Sequence, residues 1–245
     1  METIILGTQF FANLLLWIGL SLVAERAPIS AFQKRFVQMT SAILLIVWFA
    51  AIYLLAENGF FLATGAIPLV LIIPFTVGFF LFFSQTFRKL LSVTPMHWII
   101  GFQVFRVLGS LLLIGYVQGL LPGIAALPGG IGDVTTGLTA PPVAYWFYKK
   151  GKGARLIAYI WNSFGALELI NALTIGILAQ TPLIKSEPKA ALLGILPFVL
   201  FPAFTLPHSL LLHGYTFWLL GKRRTEKGTP RSRMPMYNMS VEGAK

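Results

Sequence analysis

Residues 144–178 read AYWFYKKGKGARLIAYIWNSFGALELINALTIGIL. Tyr145, Trp146 and Tyr148 form an aromatic border, and Lys149, Lys150, Lys152 and Arg155 follow it. From Leu156 to Leu178 the chain is then apolar for long enough to cross a hydrocarbon layer of ~30 Å at ~1.5 Å per residue. Aromatic belt, basic loop and long apolar run together mark a membrane-spanning helix entered from its basic side.

The same pattern repeats on both sides of this stretch. Apolar runs fall at about residues 4–23, 39–55, 61–83, 97–120, 133–147, 156–178 and 190–220. Of the 19 Lys and Arg residues, 16 lie in alternate connections and in the 221–245 tail, two (Lys185 and Lys189) lie elsewhere, and Arg106 sits inside a run. Basic residues accumulate in cytoplasmic loops. The expected fold is therefore an all-α bundle of seven transmembrane helices, N-terminus outside and C-terminus cytoplasmic. A six-span arrangement would need 133–147 to be re-entrant and would place the Lys149 cluster outside, against the charge rule.

Composition supports this class. The chain of 245 residues is 56% hydrophobic and only 11% charged, more apolar than a soluble domain of this size can hide from water. The net charge of +11 does not indicate nucleic acid, because the basic residues flank apolar runs. There is no cysteine, which excludes disulfides, thiolate metal sites and a cysteine nucleophile. Met1-Glu2 leads straight into the first run without a basic n-region, so that run reads as a retained span. The basic 221–245 tail is expected to be disordered and to lie against anionic lipid headgroups. Its Asn238-Met-Ser sequon has no meaning on the cytoplasmic side.

Two segments break the regular pattern. Pro197, Pro202 and Pro207 recur every five residues in the last run, which predicts a kinked or broken helix with free carbonyls. Leu121-Pro-Gly-Ile-Ala-Ala-Leu-Pro-Gly-Gly-Ile-Gly132 reads as an uncharged turn, a tight apolar hairpin at the interface.

Ionisable groups within a bilayer are costly, ~3 kcal/mol or more at mid-depth, and mark functional or packing sites. Five fall within the runs: Arg106, Asp133, Glu168, His208 and His213. Counted from the cytoplasmic ends at ~1.5 Å per residue, His213 and Arg106 lie roughly 10–14 Å deep, Glu168 and His208 roughly 17–20 Å, and Asp133 about 22 Å. Gln103, Asn162 and Asn171 are near them along the chain, and Trp161 is deep enough to line a cavity. The expected pocket comprises Arg106, Asp133, Glu168, His213, Asn162 and Trp161. Arg106 is expected to pair with Glu168, with Asp133 as the competing partner. Asp133 also reads as an N-cap for the amides of Thr135 or Thr136. His208 and His213 are weak metal candidates, because a spacing of five turns the two side chains ~140° apart on a regular helix. His97 sits at the cytoplasmic edge, too far from Asp133 for one site.

Three resemblances bear on function. Seven spans with an outside N-terminus resemble rhodopsin-type proteins, but no run carries the lysine their chromophore needs. The intramembrane His and Asp residues resemble the progestin/adiponectin-receptor and alkaline-ceramidase superfamily of zinc hydrolases. That superfamily places His-x-x-x-His on its last span; here His208-Ser-Leu-Leu-Leu-His213 is one residue longer, and the early histidine is missing unless His97 serves. The stretches Gln103-Val-Phe-Arg106, Leu127-Pro-Gly-Gly-Ile-Gly-Asp133 through Gly137-Leu-Thr-Ala-Pro141, Trp161-Asn162 and Leu206-Pro-His-Ser-Leu-Leu-Leu-His213 resemble a group of uncharacterised bacterial multi-pass proteins. That resemblance implies a bacterial inner-membrane protein and no particular activity.

The function expected from these residues is binding, sensing or transport of a small or lipid-like ligand through an intramembrane polar pocket. The alternatives are an intramembrane hydrolase or metalloenzyme, and a structural or assembly subunit. The lipid bilayer is the expected partner, with a second copy or another membrane protein as a further one.

Overall fold

The computed structural model describes residues 1–181, 183–188 and 190–228, with backbone alone over 223–228. Every regular element among the described residues is helical. Four helices are long and apolar enough to cross a membrane: α1 (Glu2–Arg26), α2 (Ala31–Glu57), the composite Met96–Val117, and α8 (Ala154–Leu178). A fifth crossing is available if α3 (Ala66–Leu81) and α4 (Gln85–Val93), bent by 84°, count as one. This is the build of a membrane protein.

Local chemistry sets the boundaries. Ser30 and Gln33 form a reciprocal capping box at the start of α2, with Gln33 N donating to Ser30 Oγ (3.2 Å) and Ser30 N donating to Gln33 Oε1 (3.0 Å). The box satisfies two amides that a helix start leaves free. The run expected over 61–83 is shorter as a helix: Phe60–Leu62 is a 3-10 turn, Gly65 is left-handed at φ 87, and α3 begins at Ala66. Ser84 then caps α4 by accepting from Phe87 N at 3.3 Å. Gln85, Arg88, Lys89 and Ser92 share the exposed face of α4, while Leu90 and Leu91 are buried. That spacing of three and four is an amphipathic helix, suited to lie along a surface instead of crossing it.

The largest departure concerns 121–132. The connection after α6 (Ser110–Val117) is only five residues long, and α7 runs from Gly123 to Tyr148, starting ten residues before the expected Asp133. The turn is a Schellman motif: Gly119 is left-handed at φ 71, its N–H donates to Tyr116 O (2.9 Å), and Leu120 N–H donates to Gly115 O (2.8 Å). Away from water, backbone groups must pair within the segment, so Gly and Pro cease to act as helix breakers. Asp133 consequently stands in a helix interior and is no N-cap.

The last run is broken, in keeping with its prolines. A 3-10 turn at Ala190–Gly194 and a π-helical turn at Phe201–Thr205 precede α9 (Leu206–Gly228). Helix α9 extends past the expected boundary at 220; the rest of the tail, 229–245, lies outside the described residues.

Two of the three apolar clusters among the described residues follow one another along the same helices. One gathers Ile67, Leu112, Ala126, Leu169, Leu200 and Leu206; the other gathers Ile100, Ala140, Ala144, Ala158, Trp161 and Leu219. Each of four elements therefore passes from one core to the other, and in every case a polar residue stands between. On α1 and α2, by contrast, large apolar side chains such as Phe10, Phe11, Ile43 and Ile46 face outward, as a lipid solvent allows.

Candidate functional site

The polar residues between the two cores meet at one point. Met96–Val117 carries α5 (Met96–Phe102), a 3-10 stretch (Gln103–Gly109) and α6. Side chains three apart eclipse in a 3-10 helix, so Gln103 and Arg106 share a face, and both are buried. The narrow 3-10 backbone and the glycines of α7 let the two elements approach closely. A Cβ on Gly137 would lie 2.5 Å from Val107 N, and one on Gly130 would lie 3.1 Å from Gly109 O. The Gly-Gly-Ile-Gly sequence is thus a packing surface.

Arg106 is the centre and is fully inaccessible. Its Nε donates to Asp133 Oδ1 at 2.6 Å, Nη1 donates to Gly165 O and to His213 Nε2, each at 3.1 Å, and Nη2 donates to Glu168 Oε2. One guanidinium thus ties α7, α8 and α9 to the 3-10 stretch. Arg106 takes both carboxylates at once instead of choosing between them. A planar fork of five donors can do this; a lysine ammonium could not.

His213 has a defined tautomer. Arginine has no acceptor, so His213 Nε2 must accept, which leaves the proton on Nδ1. Nδ1 faces Asn162 Oδ1 at 2.7 Å, and Asn162 Nδ2 donates to the His213 carbonyl at 3.0 Å. Asn162 therefore clamps both the ring and the backbone of His213. Trp161 Nε1 donates to Thr139 Oγ1 at 2.9 Å, and its ring centroid lies 5.7 Å from that of His213.

Glycines again make the room. A Cβ on Gly165 would come within 2.6 Å of His213 Cε1, and a Cβ on Gly132 would overlap the Glu168 side chain. His208 belongs elsewhere: its Nδ1 faces the carbonyl of Phe204, one turn back on its own segment. The two histidines do not converge, and no group of three or more His, Cys, Asp or Glu among the described residues could hold a metal ion.

A cavity of about 70 Å³ reaches this cluster at Asp133. Small residues open it, Ala125 and Gly129 on α7 with Ala172 and Gly176 on α8, and Gln180 and Leu193 also line it. Four buried oxygens near the cluster have no hydrogen-bond partner: Gln103 Oε1, Thr136 Oγ1, Glu168 Oε1 and Ser209 Oγ. Thr136, Ser209 and the glycines were not singled out from sequence. The signal was spacing: Thr136 follows Asp133 by three, Gly165 precedes Glu168 by three, and Ser209 precedes His213 by four, so each shares a helix face with a charged or imidazole group.

A family model described as a domain of unknown function (DUF8737) matches residues 62–221. The chain belongs to this family. The DUF8737 segment begins at the 3-10 turn before α3 and ends inside α9, so it contains the whole ionic cluster and its cavity, while α1 and α2 lie outside it. No curated protein and no solved structure matches the chain.

Proposed function

We propose that this chain is a multi-pass protein of the bacterial inner membrane that binds, senses or moves a small solute in the pocket around Arg106. Arg106, Asp133, Glu168, His213, Asn162 and Trp161 are its polar lining. The observation that carries this reading is the double role of Asp133, which holds Arg106 and also lines the cavity. A carboxylate serving only to lock helices would need no route to it.

The size of the cavity favours a small solute over a lipid. Pockets for drug-sized ligands run to about 300–1,000 Å³, whereas this one is about 70 Å³. The metalloenzyme alternative loses support from the separation of His208 and His213.

Topology belongs to the same proposal. Seven crossings, N-terminus outside and C-terminus cytoplasmic, add α3, α7 and the broken last run to the four long apolar helices. Helix α7 turns its Gly, Thr and Asp side toward other helices instead of lipid. The outward apolar faces of α1 and α2 suit lipid, a second copy or a membrane partner, and the basic tail suits anionic headgroups. Reporter fusions at residues 149–155 and at the C-terminus should report the same face; opposite faces would overturn the arrangement.

For the pocket, thermal unfolding of the purified protein in nanodiscs, screened against small amines, carboxylates and amides, is the direct assay. A solute at about 100 times its Kd stabilises by about 2.7 kcal/mol. The shift should vanish in Gly176→Val, which fills the cavity without touching the ionic cluster; a Cβ there meets only Leu193 Cδ1, at 3.9 Å. A solute shift that survives Gly176→Val would place binding elsewhere.

A further inference from the structure

Charge in the pocket does not balance. Arg106 contributes one positive charge, and Asp133 and Glu168 contribute two carboxylates. His213 adds none, because its Nε2 accepts from the guanidinium. The other Asp, Glu, Lys, Arg and His residues whose side chains are described on these elements lie apart. His97, Arg155 and Lys222 stand near helix ends, and His208 faces its own backbone. With both carboxylates ionised, one unbalanced negative charge would sit between two apolar cores, where a lone charge is costly.

We infer that the pocket holds one exchangeable proton, resident on Glu168 and passed to the cavity through Asp133. The inference rests on the solute pocket proposed above and names the proton as its co-substrate. Three observations support it besides the charge count. Glu168 Oε1 is buried without a donor, a position where a neutral carboxyl is better tolerated than a carboxylate. Thr136 is fully buried, and its Oγ1 has no partner one helical turn from Asp133. The cavity reaches Asp133 and is not lined by Glu168.

The transfer is balanced. The proton leaves a Glu168 oxygen, which becomes a carboxylate, and binds an Asp133 oxygen, which becomes neutral. The guanidinium bridges both states, so the net charge of the cluster is constant. Asp133 then yields the proton to a base in the cavity, water or the bound solute, and the reverse sequence reloads Glu168.

Infrared spectroscopy of the full chain in nanodiscs tests this. At neutral pH the wild type should show the carbonyl band of a protonated carboxyl, shifted on transfer to heavy water. Glu168→Gln should abolish the band. Asp133→Asn should abolish it too, because Glu168 then carries the only charge that balances Arg106. Gly176→Val should keep the band and slow its exchange in heavy water several-fold. Absence of the band in the wild type, or its persistence in both carboxyl variants, would overturn the resident proton. Exchange as fast in Gly176→Val as in the wild type would overturn the cavity route. These failures leave a solute-dependent thermal shift untouched, so the proton and the pocket are judged separately.

Discussion

Arg106→Met is the sharpest perturbation available. The substitution keeps much of the aliphatic stem and removes all four hydrogen bonds that tie the 3-10 stretch to α7, α8 and α9. Two of the acceptors are carboxylates. Hydrogen bonds to charged groups contribute about 1.5–3 kcal/mol each, and breaking a buried ion pair by deleting one partner costs about 3–5 kcal/mol. With one carboxyl already neutral, the other can take up a proton once the guanidinium is gone, which holds the loss near the pair value instead of the sum of all four bonds. The expected destabilisation is about 3–5 kcal/mol, or two to four orders of magnitude in the unfolding equilibrium.

Denaturant unfolding in bicelles, followed by tryptophan fluorescence, reads this directly, since the Trp161 ring lies 5.7 Å from that of His213. Two companions make the measurement decisive. Arg106→Lys keeps the charge but cannot span four acceptors, and should lose about 1.5–3 kcal/mol. The neutral triple variant Arg106→Met/Asp133→Asn/Glu168→Gln removes the ions together and should return to within about 1–2 kcal/mol of the wild type. An Arg106→Met protein within about 1 kcal/mol of the wild type would refute the view that this cluster joins four elements. So would a triple variant as unstable as the single one.

The remaining tests address single features. Gly165→Ala should push His213 off Arg106 and cost about 1–3 kcal/mol by overpacking, while Gly7→Ala inside α1, with nothing within 4 Å of its added Cβ, should stabilise by up to about 1 kcal/mol in the same denaturation series. Nitrogen NMR of labelled His213 should show a protonated Nδ1 and a bare Nε2; Asn162→Leu should mix the tautomers, and a protonated Nε2 in the wild type would contradict the arginine contact. Arg88→Gln/Lys89→Gln on the exposed face of α4 should lower retention of anionic lipid, worth about 1 kcal/mol per positive charge removed near such a surface, without changing stability in neutral detergent.

The membrane class and the central residues were legible in sequence for separate reasons. Long apolar runs and one-sided basic loops report the solvent directly. Buried ions are so costly in that solvent that Arg106, Asp133, Glu168 and His213 stood out without any knowledge of helix packing. The failures share a cause as well. Reading Leu121–Gly132 as a turn applied rules learned in water, where Gly and Pro compete with a helix by exposing backbone to solvent. Asp133 was then placed at a helix start that does not exist, and its role was split between capping and pairing. The 84° bend at Ser84 was also hidden. In sequence its amphipathic face, Gln85-Arg88-Lys89-Ser92, has the form of a short basic connection between two apolar runs.

What sequence could not convey is that the glycines and the charges form one device. Gly109, Gly132 and Gly165 each stand where a Cβ would collide with Asp133, Glu168 or His213. The polar groups therefore fit only because three helices are stripped of side chains beside them. Close approach brings both carboxyl groups onto one guanidinium, and on the reading above that is what requires the resident proton. On the next turns of α7 and α8 the same stripping, at Gly129, Ala172 and Gly176, leaves the cavity that ends on Asp133. A bundle lock alone is served by the first set of small residues. The second set borders open space on the side of the lock that faces the cavity: a Cβ on Gly176 would meet only Leu193 Cδ1, at 3.9 Å. On the pocket reading proposed above, this space is the passage to the Asp133 carboxyl.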